Sequence, residues 1–200
     1  MIDRRQLIQS GLVLAAGLPA VAPSAAAWVS SAARGLAPER FVFDTRYAEA
    51  VEAARVAAAH GVPAVGIEAD LTRLWYDDLD LAWKRAPMTL AGVTTPQALF
   101  ILETLAADRG MRVVYRGEHE LRANGCVRHR LSGPRALVDD WPSDMSWAAL
   151  GARLMHCPTS RATASIELET NEPGFGTGRD RSESLRSWVI APRSSDSKPV

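Results

Sequence analysis

The sequence has no surplus of either charge: lysine plus arginine and aspartate plus glutamate number 23 each. Without a basic excess there is no global field to gather phosphate backbones or anionic lipid, which argues against nucleic-acid binding. Gly-x-Ser-x-Gly and His-Glu-x-x-His are absent, and with them the common signatures of exported hydrolases and metalloproteases. The first strand-to-helix turn, Asp44-Thr45-Arg46, contains no glycine, so it is no dinucleotide fingerprint. A membrane-length apolar run is also missing, because the stretch from Leu7 to Ala22 is broken by Gln9, Ser10, Gly11, Gly17 and Pro19. Only two cysteines occur, Cys126 and Cys157.

What is present describes an ordinary globular chain. Two hundred residues, 47% hydrophobic and 23% charged, suffice for one core and are short for two. The expected organisation is a leader over residues 1–27, one α/β domain over 28–193 and a disordered tail over 194–200.

The leader is read from its layout. A charged start containing Arg4-Arg5 precedes the uncharged stretch, and the small residues Pro23-Ser24-Ala25-Ala26-Ala27 follow. The segment Asp3-Arg4-Arg5-Gln6-Leu7-Ile8-Gln9 resembles a twin-arginine (Tat) export signal. That resemblance implies passage of an already folded protein through the twin-arginine export machinery, engaged by Arg4 and Arg5. It also implies a cofactor or a partner acquired beforehand. Cleavage near Ala27 would release a periplasmic or otherwise exported chain.

The mature chain is organised around residues 41–70. Phe41-Val42-Phe43-Asp44 reads as a strand, Tyr47 to His60 as an alanine-rich helix capped by Thr45 and stopped by Gly61, and Val62 to Glu68 as a second strand. Such a βαβ unit has parallel strands, with Asp44, Glu68 and Asp70 along one sheet edge. A helix follows around Leu74, Trp75, Leu79 and Ala82. The order then repeats: Thr94 and Gln97 form a capping box, a helix through Leu99, Leu102 and Ala106 ends at Gly110, and Met111 to Tyr115 is a strand running into Glu118-His119.

Past that strand the pattern changes. Asn124-Gly125 between apolar segments predicts a type I′ β-hairpin. Ser143 is read as the cap of a helix containing Trp147, Leu150 and Leu154, and Ala162 to Leu168 and Leu185 to Ile190 read as strands. The expected fold class is therefore α/β, a small two- or three-layer fold with a partly parallel sheet and an added C-terminal hairpin region.

Four constellations could carry chemistry. Asp44, Glu68, Asp70, Glu118 and His119 stand at predicted C-terminal strand ends. If their strands are parallel neighbours they converge on one crevice, as general acid and base groups or ligands to a divalent cation. Otherwise they cap helices or face water. Trp75, Tyr76, Asp77, Asp78 and Trp83 set aromatics beside acids, as a partner or ligand surface or as a packed helix with solvated carboxylates. Cys126-x-x-His129 with His156-Cys157 lacks the paired spacings of familiar zinc sites, and the cysteines either form a disulfide closing a loop of about thirty residues or remain buried thiols. The glycine run Gly174-Phe175-Gly176-Thr177-Gly178 has no strand-to-helix context and reads as a loop.

No motif assigns a reaction, a cofactor or a metal. The leading expectation is an exported accessory protein that binds a co-exported partner such as a cofactor-containing oxidoreductase. The alternative is a periplasmic enzyme or ligand-binding domain using the strand-end crevice with a divalent cation.

Overall fold

The computed structural model describes residues 36–68, 70–122, 125–141, 145–171 and 183–193. The leader, the glycine run, Ser143 and the expected tail lie outside the described residues. Among the described residues seven strands form one mixed sheet: β1 (Arg40–Asp44), β2 (Ala64–Ile67), β3 (Leu90–Thr94), β4 (Met111–Leu121), β5 (Cys126–Pro134), β6 (Thr163–Asn171) and β7 (Glu183–Pro192). Their spatial order is β2-β1-β3-β7-β4-β5-β6. β1 pairs parallel with both β2 and β3, and every other pairing is antiparallel.

Alternation along the strands sends apolar residues to both faces. Phe41, Val93, Tyr115, Leu131 and Val189 face one core, which is closed by α1 (Ala48–Ala59), α5 (Arg135–Val138) and α6 (Trp147–Leu154). Val42, Leu90, Met111, Trp188 and Ile190 face the other. That second core is closed by α2 (Thr72–Leu74), a π-helical turn (Trp75–Leu79), α3 (Asp80–Arg85) and α4 (Pro96–Ala107). The fold is thus a three-layer α/β arrangement around β1, β3 and β7. It thins towards β6, where the second face is open. α1 is built from alanine, and buried Ala50, Ala53 and Ala57 let α6 come close enough for Gly151 to pack on the Ala53 backbone.

Several helix caps stand one to three residues from where the sequence placed them, for identifiable reasons. Thr45 does not cap α1; its hydroxyl donates to the Ile67 carbonyl and ties β1 to β2. The α4 cap is Thr95, which accepts from Ala98 N–H with Pro96 in the first turn, while Thr94 stays in β3 and accepts from Trp188 Nε1 at 3.0 Å. Ser146 caps α6. The helices before Gly61 and Gly110 do stop there, with φ of 79° and 69°.

The β4–β5 hairpin forms as expected. Gly125 N–H donates to Arg122 O, Arg122 N–H donates to Cys126 O, and Gly125 has φ of 77°. Asn124, on which the type I′ expectation rests, lies outside the described residues.

Cys126 and Cys157 are not joined by a disulfide. Cys126 opens β5 at the edge where β4 ends, whereas Cys157 is bridged to Leu36, ahead of the N-terminal end of β1 at the opposite edge. Cys157 is fully buried, and burial pushes its thiol pKa up to about 12. In the native protein Cys126 should therefore react first with a thiol reagent. A second equivalent should appear only on unfolding, without prior reduction. Two equivalents from the native chain, or none from the unfolded unreduced chain, would contradict this arrangement. Among the described residues no helix is long and apolar enough to cross a membrane.

Candidate functional site

The strand-end residues are not gathered into one crevice. β1 and β4 run in the same direction but are separated by β3 and β7, so Asp44 and Glu118 stand three strand spacings apart, about 14 Å. Asp44 is fully buried and grips its own loop: it accepts from Arg46 Nε at 2.9 Å, from Arg46 Nη2 at 2.8 Å and from the Arg46 backbone N–H. Asp70 accepts from the Thr72 N–H at the start of α2, and hydrogen bonds from the Thr72 side chain and backbone hold its carboxyl below the usual range. Glu68 is exposed. Among the described residues no group of three histidine, cysteine or acidic side chains is placed to hold a metal ion.

Glu118 and His119 are neighbours in β4 and point to opposite faces. Which face each takes is decided upstream by a bulge, where the pairing with β7 shifts between Val113 and Tyr115. Val113 faces the second core, but after the bulge Tyr115, Gly117 and His119 face the first. An extra residue in a period-two strand exchanges the faces of everything beyond it.

His119 consequently joins a buried polar chain across four strands. Tyr115 OH lies 3.2 Å from Ser187 Oγ, which lies 2.7 Å from His119 Nε2. His119 Nδ1 meets His129 Nδ1 at 2.7 Å, and His129 Nε2 meets Thr170 Oγ1 at 2.8 Å. The two histidines and Ser187 have no exposed surface, Tyr115 has 1% and Thr170 7%. Trp147 on α6 covers the pair, with its ring centroid 5.0 Å from that of His119. Trp141 stacks on Tyr115.

Two Nδ1 atoms at 2.7 Å need one proton between them, so two neutral rings take complementary tautomers. With His119 Nδ1–H donating, every link can run one way: Tyr115 to Ser187, Ser187 to His119, His119 to His129, His129 to Thr170. Desolvation, aided by the second imidazole and Arg186, holds His119 well below its ordinary pKa, and desolvation lowers His129 to about 4. Burial raises Tyr115. Hydroxyl, imidazole and orienting group follow the order of an activated serine. Here, however, the hydroxyl sits mid-strand and is fully buried.

The other side of the same strands is open and charged. Glu118 is in register with Arg186 on β7 and Arg130 on β5, and Arg130 with Glu167 on β6. The row Arg186, Glu118, Arg130, Glu167 thus alternates in sign across four strands, with ion pairs at 3.8, 3.1 and 3.9 Å. The next row places Glu120 beside Arg128, and Arg128 beside Glu169 at 3.2 Å. A cleft of about 500 Å³, reaching Glu103, Arg116, Ser132 and Ser165, continues this side beside the bulge.

The aromatic-acidic segment is mostly knitted into the fold. Trp83 is buried, donates to the Met88 carbonyl at 3.0 Å and meets Trp75 edge-on. Asp78 binds Arg40 through two hydrogen bonds, and Asp80 binds Arg109 and Lys84. Arg109 also lies over the Trp75 ring. Tyr76 remains 68% exposed and Asp77 is exposed. The segment winds through a π-helical turn, a feature often associated with functional sites.

Sequence reasoning placed His119 among the candidates but missed Ser187, His129, Thr170 and Tyr115 as its partners. The available signal was Gly117, a glycine inside an otherwise strand-like segment, which marks a close approach. No family model matches this chain, and neither a curated protein nor a solved structure is similar to it.

Proposed function

We propose that this is an exported accessory protein that acts by binding a protein partner, of the kind that accompanies a cofactor-containing oxidoreductase through folded export. The observation that carries the reading is the open, sign-alternating face of β7, β4, β5 and β6, a polar surface on a hydrogen-bonded sheet. Of the groups that the sequence offered for acid-base chemistry, Asp44 holds Arg46, Asp70 accepts from Thr72, Glu118 pairs with Arg130 and His119 lies against Ser187 and His129. The twin-arginine-like start supplies the export half of the proposal.

Purification of the full gene product after export by its own leader tests both halves. A colourless chain arriving with a stoichiometric redox protein, and retained in the cytoplasm when Arg4→Lys and Arg5→Lys are combined, is the expected result. A stoichiometric metal or chromophore on the purified chain itself, with no accompanying protein, would turn the assignment towards an enzyme.

A further inference from the structure

β6 is the last strand of the sheet, and β5 is its neighbour on one side. Among the described residues nothing pairs with its other edge. In an antiparallel strand with one neighbour, every second residue directs its N–H and C=O away from that neighbour. Nine residues of β6 offer such a row.

The side chains specify what would fit beside it. On the open face, two adjacent register rows reach the edge on an acid: Arg186, Glu118, Arg130, then Glu167; and Glu120, Arg128, then Glu169. The side chains of both terminal glutamates are 50% exposed. The next residues in these alternating rows would be basic, two apart along one strand, since opposite charges directly across a sheet are favourable and like charges are not. On the other face, Ile166 and Leu168 are only half-buried against the first core, and an apolar neighbour would cover them. A second copy of β6 is a poor neighbour, because its Glu167 and Glu169 would add acid to acid.

We infer that the outer edge of β6 is a docking site for an extended segment of a partner protein in which basic and apolar residues alternate. The segment adds an eighth strand, its basic side chains opposite Glu167 and Glu169 and its apolar side chains beside Ile166 and Leu168. This rests on the partner-binding reading above and names the surface and the partner chemistry.

The test uses the full chain and a seven-residue peptide of alternating arginine and valine, followed by fluorescence anisotropy and amide hydrogen exchange. The peptide should bind, slow exchange along residues 163–171, and lose at least tenfold in affinity when Glu167→Lys and Glu169→Lys are combined. A peptide of alternating glutamate and valine should not bind, and methylating alternate backbone nitrogens of the arginine peptide should abolish binding. Equal binding of the methylated peptide, protection elsewhere on the molecule, or no binding at millimolar peptide would overturn the edge-strand proposal. A chain that fails these tests yet still arrives with its co-exported partner would leave the accessory role standing on another surface.

Discussion

Acidification from pH 7 to pH 4 should remove about 3 kcal/mol of folding stability through His129 alone, with His119 adding to the loss. The unfolded chain titrates its histidines near 6.5, whereas in the folded chain His129 is lowered to about 4 and His119 lies well below its ordinary value. Between these limits the unfolded state binds more protons, so stability falls as the pH falls. It is fully present above about 6.5 and is lost as the pH approaches the folded value. A shift from 6.5 to about 4, at roughly 1.4 kcal/mol per unit, gives the stated magnitude.

The surroundings give an incoming charge little relief. Ser187, Tyr115 and Thr170 are neutral, Trp147 covers the pair, and Arg186 disfavours a second cation nearby. One proton can be shared between the rings, but two would set Nδ1–H against Nδ1–H. Urea unfolding at several pH values should show the slope between pH 6.5 and 4, above the range where most carboxylates titrate. His129→Gln, which retains a donor and an acceptor, should flatten it by close to one proton. A wild-type curve flat over that interval would refute the account.

The second large effect is expected at Gly117. A Cβ there would lie 2.3 Å from Ser187 Oγ and 2.9 Å from both His119 Nε2 and Tyr115 OH. These atoms are the middle of the polar chain, so Gly117→Ala both overpacks the site and separates hydrogen-bonded groups that have no water to turn to. Together these should cost about 3–5 kcal/mol, large for one methyl group. Ser187→Ala alone should cost less, through the loss of its two hydrogen bonds, and it also removes the nearest obstructing atom. The double variant should consequently be more stable than the sum of the single losses allows. Strict additivity in denaturant unfolding would mean that the methyl group and the hydroxyl do not compete for space.

The first half of the fold was legible because its signals are local. Phe41 to Ile67 carries a strand, an alanine helix, a left-handed glycine and a second strand in sequence order, and the parallel pairing of β1 with β2 follows from that order. The hairpin at Gly125 was equally local. The short strand Leu90–Thr94 was not distinguished, because its five buried residues have no alternation to mark them and Thr94 stands one residue before a true cap. The insertion of β7 between β3 and β4 depends on contacts remote in sequence, with Trp188 meeting Thr94 and Gly92, and no period announces it. The histidine site was half legible for the same kind of reason. His119 was visible, but the bulge that turns it inward is a pairing irregularity between β4 and β7.

The place of β7 bears on how the protein is made. Six strands of the described residues are synthesised before it, yet it is the strand that joins β2-β1-β3 to β4-β5-β6. Until residues 183–192 arrive, β3 and β4 have no strand between them to join β2-β1-β3 to β4-β5-β6. The arrival of β7 becomes the gate to the native sheet, and a product truncated before it cannot pass for a finished one. For a protein proposed to cross a membrane already folded, the same strand separates finished molecules from unfinished ones.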